Sequence, residues 1–348
     1  MQHDADFDVA IVGGGIAGLT AAVWTARYLH SVVVVDSGDP RHWETRGING
    51  FTGLPRVRPS ELRGIAREEC REYGVRLVDG FVSRAEVADE RFSLTFDPLP
   101  STKAREDRRG PGTPRAAEDN EPSPVSRTFT ARRLLLAYGL KDEWPKVPGL
   151  RQVYGTTAHV CPDCDGYETQ GRRVVVIAHG RKAAGLALNL TTWTHDLVIC
   201  TNGEPAGLDE EQCAKLGALG IPVLTEPIER LLSEGEVLRA VQLADGRTVP
   251  CDKVFFSLGQ RPADDLAKQL GCVRDAGDHV VVDDHYHTSV RNCFAAGDIV
   301  PGAQLAIAAA ADGAIAALSM HKSLVPGARK LRPLGESDGR RRRAADHV

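Results

Sequence analysis

Short apolar runs separated by glycine-rich or polar turns characterise the start of the chain. Phe7–Val12 is mostly apolar and predicts a strand. After a glycine-rich turn, the pattern of Leu19–Leu29 predicts a helix, and Val32–Val35, followed by Asp36, predicts the next strand. The order of strand, glycine turn, helix and strand predicts a βαβ unit.

The glycine-rich turn has the spacing of a dinucleotide-binding fingerprint. Gly13 would permit the tight turn, Gly15 would let the backbone approach a pyrophosphate, and Gly18 would allow the helix to pack closely. Asp36 is placed to accept hydrogen bonds from an adenosine ribose. A lone GxGxxG is weak, but its place between a strand and a helix, with the acid at the end of the next strand, predicts a dinucleotide site.

An altered copy of this pattern lies near the middle of the chain. It predicts a strand, a turn, a helix and a second strand over 173–177, 178–183, 184–190 and 197–200. Ala178 stands where the first glycine of the fingerprint is expected. Further along, Val237–Leu243 and Thr248–Leu258 predict a hairpin that leads back to the first domain.

Length and composition limit the class of protein. The 348 residues suggest two domains, and an apolar fraction of 42% is enough for ordinary buried cores. A formal net charge of −4 argues against nucleic acid as a main partner. The N-terminus is acidic where a signal peptide needs basic residues, and no uninterrupted apolar run is long enough to span a membrane. We therefore expect a soluble, cytoplasmic protein.

Cys161 and Cys164 are separated by two residues. Such a pair occurs in zinc ribbons, haem attachment sites and redox proteins. Zinc is disfavoured because no His pair has ligand spacing to the motif and the other cysteines are scattered, at Cys70, Cys200, Cys213, Cys251, Cys272 and Cys293. Haem attachment needs a His where Asp165 stands. We therefore expect no metal site and a reducible disulfide, with a helix start that lowers a thiol pKa.

Two neighbours of the cysteines bear on this chemistry. Pro162 suits the first position of a helix. Asp165 could move a proton during thiol exchange, or it could be an ordinary carboxylate at a helix end. The residues alone leave both roles of Asp165 open.

These motifs, in this order, resemble the low-molecular-weight thioredoxin reductases over residues 5 to 325. That family has an N-terminal GxGxxG, an Ala-Thr-Gly strand end, here Ala137-Tyr138-Gly139, a Cys-x-x-Cys-Asp-Gly motif and a closing Gly-Asp pair before a helix. The resemblance implies FAD as cofactor. The residues expected to bind it are Gly13, Gly15, Gly18, Asp36, Asn49, Gly139, Gly297, Asp298, Gln304, Leu305 and Ala306.

The resemblance also implies an α/β fold with two Rossmann-like, three-layer nucleotide-binding domains, the central one inserted into the FAD domain. We expect the FAD domain in residues 1–147 and 254–326, and an NAD(P)-binding-like central domain in 148–253. The segment 97–128 is rich in proline and charge, which predicts a flexible insertion. The arginine-containing tail, 327–348, is expected to be disordered.

The family supplies roles for the residues of the disulfide motif. Its second cysteine, Cys164 here, lies nearest the flavin, and its first, Cys161, attacks the substrate disulfide. The aspartate, Asp165, serves as acid and base. Family members are homodimers whose central domain swings to present either nicotinamide or the disulfide to the flavin. The expected substrate is a thioredoxin-like protein or a small disulfide or dithiol.

The central domain departs from the family at its NADPH site. The intact GxGxxA is replaced by the stretch 178–183, and 200–204 stands where arginines hold the 2′-phosphate. We therefore expect NADPH to be a poor donor, with electrons coming from a protein such as ferredoxin or from a dithiol. The cysteine motif also resembles the oxygen-dependent dithiol oxidases of the gliotoxin and holomycin type, although those commonly have His where Asp165 stands. A flavin redox sensor without turnover is a third interpretation.

Overall fold

The computed structural model describes residues 5–42, 45–88, 90–99 and 127–330. Strands and helices alternate along most of these residues. The strands are β1 (Phe7–Val12), β2 (Val32–Asp36), β3 (Arg76–Ala88), β4 (Arg91–Pro98), β5 (Arg127–Leu136), β6 (Leu140–Asp142), β7 (Ala158–His159), β8 (Val174–Ile177), β9 (Leu197–Cys200), β10 (Val223–Leu224), β11 (Ile228–Glu234), β12 (Val237–Leu243), β13 (Thr248–Pro250), β14 (Lys253–Phe256), β15 (Gln260–Pro262) and β16 (Cys293–Ala295). The helices are α1 (Ile16–Arg27), α2 (Pro59–Glu72), α3 (Leu150–Val153), α4 (Pro162–Asp165), α5 (Gly180–Leu190), α6 (Glu210–Ala218), α7 (Leu266–Gln269) and α8 (Ala306–Leu324).

The first sheet is built from both ends of the described chain, and we call the domain around it the outer domain. Its parallel strands run in the order β3-β2-β1-β5-β16, and β4 pairs antiparallel with both β3 and β5. The apolar runs of β1 and β2 are buried on both faces, which explains why they are continuous rather than alternating. The C-terminal ends of these strands lie side by side, where parallel α/β sheets bind ligands.

Helices α1 and α8 pack on one face of this sheet and contact each other closely. A Cβ at Gly313 of α8 would overlap the carbonyl oxygen of Ala17 in α1, so only glycine allows this approach. Ala316 and Ala317 of α8 are buried in the core that the two helices share. Helix α8 ends at Leu324.

The central domain contains a second parallel sheet, in the order β10-β9-β8-β14-β7. Side chains of α5 and α6 pack on one face of it. The antiparallel strands β11, β12 and β13 form a separate sheet whose apolar residues pack on the other face. The predicted α/β fold with two Rossmann-like domains is confirmed, as is the insertion of the central domain into the outer one.

The predicted hairpin over 237–258 is only half correct. Strands β12 and β13 pair as expected, but the chain then leaves that sheet and β14 joins the parallel sheet between β8 and β7. Asp252 fixes this change of sheet, because its N–H donates to the Arg173 carbonyl oxygen at 2.8 Å and its carboxylate binds the Arg173 guanidinium at 2.8 Å. Most of β14 is buried, as a central parallel strand requires.

The domain boundaries in the structure differ from the predicted ones. Val147 packs in the core of the central domain, and β14 belongs to its sheet, so this domain is wider than 148–253. Both chain crossings between the domains lie at one place, where β6 pairs antiparallel with β15. Beside this ladder the Glu143 N–H donates to the Gly259 carbonyl oxygen at 2.9 Å. The central domain is therefore attached through two adjacent strands.

The predicted insertion over 97–128 is too wide at both ends. Asp97 and Pro98 belong to β4, and Arg127 and Thr128 begin β5, because these edges pair in the sheet. Residues 100–126 of the insertion lie outside the described residues, as does the predicted tail from 331 onwards. Within the described ranges, no helix combines the length and apolar character needed to cross a membrane.

Candidate functional site

A single helical turn carries the paired cysteines of the central domain. Cys161 caps α4 and Pro162 occupies its first position, as expected for a helix start. The sulfurs of Cys161 and Cys164 form a disulfide across a Cα–Cα distance of 5.3 Å, and the Cys164 N–H donates to Cys161 Sγ at 3.2 Å. Because α4 has only 4 residues, the predicted effect of a helix dipole on the thiol pKa has little helix to act through.

A buried histidine and a lysine lie behind this disulfide turn, and neither belongs to the predicted site. The Nδ1 atom of His159 lies 3.3 Å from Oδ1 of Asp165. Its Nε2 atom lies 3.2 Å from Nζ of Lys253. Strands β7 and β14 are paired, which brings these side chains together. Asp165 is therefore more than a helix-end carboxylate, because it ends a row of three polar side chains.

Two stretches of the outer domain, 41–42 and 45–56, contact the disulfide turn and its surroundings. Asn49 Nδ2 donates to the Cys164 carbonyl oxygen at 2.9 Å. His42 Nδ1 lies 3.1 Å from the hydroxyl oxygen of Tyr154, and burial lowers the pKa of this histidine. These contacts hold the disulfide turn against the outer domain.

The glycines of the N-terminal fingerprint differ in what surrounds them. Gly13 has a φ of +109°, and a Cβ there would overlap the Ala137 carbonyl oxygen. A Cβ at Gly18 would overlap the carbonyl oxygen of Gly13. By contrast, a Cβ at Gly15 would have no protein atom within 4 Å, and Gly15 caps α1 without a side-chain hydrogen bond. The first turn of α1 thus presents bare backbone to open space, which fits a phosphate.

Asp36 ends β2, and two arginines of α2 contact it. Arg63 binds the Asp36 carboxylate and donates from Nε to the Gly14 carbonyl oxygen at 3.1 Å. Arg67 lies 3.3 Å from Asp36 and 2.9 Å from Asp79. The βαβ pattern locates Asp36 but gives no signal for these partners. A carboxylate accepts about four hydrogen bonds, so Asp36 can bind the arginines and still accept from a ribose.

Arg41 joins three parts of the outer domain. Its guanidinium pairs with Asp142 through bonds of 2.7 and 2.8 Å. It also lies 3.0 Å from Asp298 and donates to Gln304 Oε1 at 2.7 Å. Burial disfavours both charges of the main pair, but their mutual hydrogen bonds outweigh it, so the pKa of Arg41 is raised and that of Asp142 is lowered. The predicted Asp298 and Gln304 therefore meet through an arginine that sequence reasoning missed.

The other predicted residues follow the same strand ends or start the last helix. Gly139 and Gly297 follow the neighbouring strands β5 and β16, with φ values of +71° and +78°. Leu305 caps α8 and Ala306 begins it. Asn49 differs, because its side chain reaches the disulfide turn.

In the altered fingerprint of the central domain, the first backbone N–H of α5 is already hydrogen-bonded within the protein. Gly180 begins α5, and its N–H donates to the Ala206 carbonyl oxygen at 2.7 Å. Lys182 Nζ donates to the Leu258 carbonyl oxygen at 2.9 Å. Ala178, which replaces the first glycine, is buried and does not adopt a positive φ, so its Cβ adds no backbone strain. The loop after β9 therefore occupies the first amide of α5, and its residues 201–207 include no arginine.

Known proteins match this chain over both domains. The family model described as pyridine nucleotide-disulphide oxidoreductase matches residues 7–313. Thioredoxin reductase tcpT of Claviceps purpurea is 27% identical over 303 residues, 84% of this chain and 86% of the relative. Thioredoxin reductase of Bacillus subtilis is 24% identical, over 92% of this chain and 95% of its own. The crystal structure of HlmI has a TM-score of 0.79 at 30% identity, covering 93% of this chain and 94% of HlmI. The resemblance predicted from the motifs is confirmed.

Proposed function

Because this chain belongs to the pyridine nucleotide-disulphide oxidoreductase family and is a flavoprotein disulfide oxidoreductase of the thioredoxin reductase type, we propose that it passes electrons between FAD and the Cys161–Cys164 pair. The substrate is a disulfide or dithiol of a thioredoxin-like protein or a small molecule. One observation carries the proposal: Asn49 of the outer domain binds the Cys164 carbonyl oxygen at 2.9 Å, which holds the disulfide turn against the predicted FAD domain.

The outer domain fits FAD as its cofactor. The bare first turn of α1 at Gly15 would hold the pyrophosphate, and Asp36 would accept hydrogen bonds from the adenosine ribose. Asp298 and Gln304, which Arg41 holds together, would bind another part of the cofactor. When bound, the flavin supplies the two-electron redox centre. The other residues proposed to line this site are Gly13, Gly18, Asn49, Gly139, Gly297, Leu305 and Ala306.

The paired cysteines exchange disulfides with the substrate. The Cys161 thiolate attacks one sulfur of a substrate disulfide, and the other substrate sulfur leaves and takes up a proton. Cys164 then attacks the sulfur of Cys161, which releases the second substrate thiol and restores the Cys161–Cys164 disulfide. The substrate gains the two electrons and two protons that the cysteine pair loses. Asp165, next to Cys164 on α4, exchanges a proton with the pair.

The central domain serves mainly as the carrier of the disulfide and uses NADPH poorly. A pyrophosphate would need the N–H of Gly180, which already donates to Ala206. A 2′-phosphate would need cationic donors after β9, and the loop there has none. Electrons therefore come from a protein donor such as ferredoxin or from a dithiol substrate.

Because the first N–H of α5 is already hydrogen-bonded and NADPH is therefore a poor donor, a second candidate function is also favoured, an oxygen-dependent dithiol oxidase. In that direction a substrate dithiol would reduce the Cys161–Cys164 disulfide and become a disulfide itself. FAD, when bound, would supply the redox chemistry by which molecular oxygen takes up the two electrons, with two protons, as hydrogen peroxide. Asp165, where such oxidases commonly have His, supports the reductive direction instead. A redox sensor without turnover would change colour only once for each equivalent of reductant.

The surface beside the disulfide suits a protein partner. Tyr167, which follows the disulfide turn, is 70% exposed, and exposed aromatic side chains commonly anchor protein interfaces. A thioredoxin-like protein would dock there.

We also propose that the protein is a homodimer, as the resemblance implies. Analytical ultracentrifugation of the purified protein tests this.

Anaerobic mixing distinguishes these functions. The FAD-loaded protein is mixed separately with NADPH, NADH, reduced ferredoxin and dithiothreitol while the flavin absorbance is followed. Bleaching by ferredoxin or a dithiol, followed by reduction of a thioredoxin, supports the proposed function. Rapid bleaching by dithiol with repeated peroxide production in air supports the oxidase. Failure of every donor to bleach the flavin contradicts both.

A further inference from the structure

The row of polar side chains behind Asp165 lies within the core of the central domain. His159 is 6% exposed and approaches Asp165 through Nδ1 and Lys253 through Nε2, at 3.3 and 3.2 Å. Lys253 Nζ also donates to the Thr156 carbonyl oxygen at 3.3 Å. Buried charged and polar groups persist only when they are paired, so each member of the row depends on the next.

The contacts fix the tautomer of His159. A lysine ammonium can only donate hydrogen bonds, so Nε2 of His159 must accept from Lys253. The proton of a neutral imidazole then resides on Nδ1, which donates it to Asp165 Oδ1. Oδ1 of Asp165 is thereby held in place.

We propose that His159 and Lys253 are positioning residues that hold the Asp165 carboxyl group in the orientation needed for proton exchange with the Cys161–Cys164 pair. This inference rests on the proposed function, because it assigns a role only if the disulfide is exchanged. Reduction of the disulfide to a dithiol consumes two electrons and two protons, and Asp165 delivers one of those protons. Deprotonated again, it is stabilised through His159 by the Lys253 cation.

The charges around Asp165 come from three elements. His159 approaches it from β7, and Lys253 interacts with it from β14. His42 of the outer domain also interacts with its charge. Lys253 in turn faces the charges of Glu168 and Arg172; burial lowers the pKa of Lys253, whereas Asp165 and Glu168 raise it. Among these groups Lys253 supplies a cation in direct contact with His159, at 3.2 Å from Nε2.

The test compares pH profiles of variants that alter the row. The flavin of the FAD-loaded protein is reduced anaerobically with dithiothreitol in a stopped-flow instrument. The measurement is repeated at pH values from about 5 to about 9, a range in which side chains ordinarily titrate. In a second measurement, the reduced protein is alkylated with iodoacetamide and the rate at Cys161 is read by mass spectrometry. The alkylation profile does not depend on flavin turnover. Flavin content and thermal midpoint establish that each variant is folded.

We expect Lys253→Met to move the acid limb of the profile upward by about one pH unit, because losing a nearby cation raises the pKa of a carboxylate. His159→Phe removes the donor to Asp165 and should slow the reaction roughly tenfold, on the scale of one charge-assisted hydrogen bond. His159→Asn restores a donor near Nδ1 and should recover most of the rate. Lys215→Met, which changes an exposed lysine of α6, is the control and should leave the profile unchanged.

Specific outcomes separate this inference from the proposed function. If dithiothreitol bleaches the wild-type flavin but Lys253→Met and His159→Phe have wild-type profiles, the positioning role is refuted and the proposed function stands. If no donor bleaches the wild-type flavin, the proposed function fails, while the alkylation profiles still decide whether the row tunes the thiols. If Lys253→Met does not fold, the comparison of His159→Phe with His159→Asn decides: equal rates refute the inference.

Discussion

Replacing Arg41 with methionine tests the ion-pair cluster that joins β6 to the start of α8. The side chains of Arg41 and Asp142 are 11% and 7% exposed, so water cannot replace the lost guanidinium. Methionine keeps much of the aliphatic stem but leaves the Asp142 carboxylate buried without a cation. Breaking a buried pair in this way costs about 3–5 kcal/mol of the free energy of unfolding. We expect a loss in that range at pH 7.

The loss should depend on pH in a defined direction. In the wild type the pKa of Asp142 is lowered, so its contribution to stability is present above the ordinary aspartate pKa and is lost as pH falls through the folded value. Without Arg41, burial instead raises the pKa of Asp142, so the carboxyl group becomes neutral at a higher pH. The destabilisation by Arg41→Met should therefore be largest near pH 7 and shrink towards pH 4.5.

Urea unfolding at the two pH values, followed by circular dichroism and flavin fluorescence, measures this difference. Arg41→Met/Asp142→Asn removes the unpaired charge and should recover part of the loss at pH 7. Lys141→Met is the control, because Lys141 pairs with the largely exposed Asp39 and should contribute less than about 1 kcal/mol. A loss for Arg41→Met that is equal at both pH values, or no larger than that of the control, would refute this reasoning.

Three further predictions concern the cofactor and the cysteines. Gly15→Val should purify folded but colourless, because a Cβ at this position has no protein atom within 4 Å and the side chain fills the space proposed for phosphate. Gly13→Val should be unstable, because a Cβ there overlaps the Ala137 carbonyl oxygen; flavin content and thermal midpoint distinguish the two variants. Stoichiometric FAD in Gly15→Val would contradict the site. Cys161→Ser and Cys164→Ser should each retain FAD and lose disulfide turnover in a thioredoxin or dithiothreitol assay; turnover surviving in both would show that the pair is bypassed. NADPH should bind about a hundredfold more weakly than to a site with paired arginines, and stopped-flow bleaching at micromolar NADPH would overturn that expectation.

The parts of the fold that follow local rules could be predicted from the sequence. A strand, a glycine turn and a helix occupy consecutive residues, so both βαβ units and the position of Asp36 follow from short patterns. The cap by Cys161 and the helix start at Pro162 are equally local. The confirmed resemblance then supplied the order of the domains, which no local pattern contains.

Contacts between distant residues could not be predicted. His159 and Lys253 meet only because β7 and β14 pair, and the sequence gives no register for strands so far apart. The sequence does offer a signal for the role of His159. This histidine follows the buried Ala158 in a strand that ends just before the disulfide motif. The change of sheet at Asp252 also depends on a distant partner, Arg173. A hairpin pattern cannot reveal it.

Strands β6 and β15 pair where the chain enters and leaves the central domain, so this domain could be deleted without separating the two parts of the outer domain. Because the Glu143 N–H bonds to the Gly259 carbonyl oxygen, deleting residues 144–258 would leave two new chain ends already side by side. A linker of a few glycines could close that gap at little entropic cost. The outer sheet, its helices and the ladder itself would keep their pairings. We expect such a miniaturised protein to fold on its own, which would make flavin binding measurable in the absence of any disulfide.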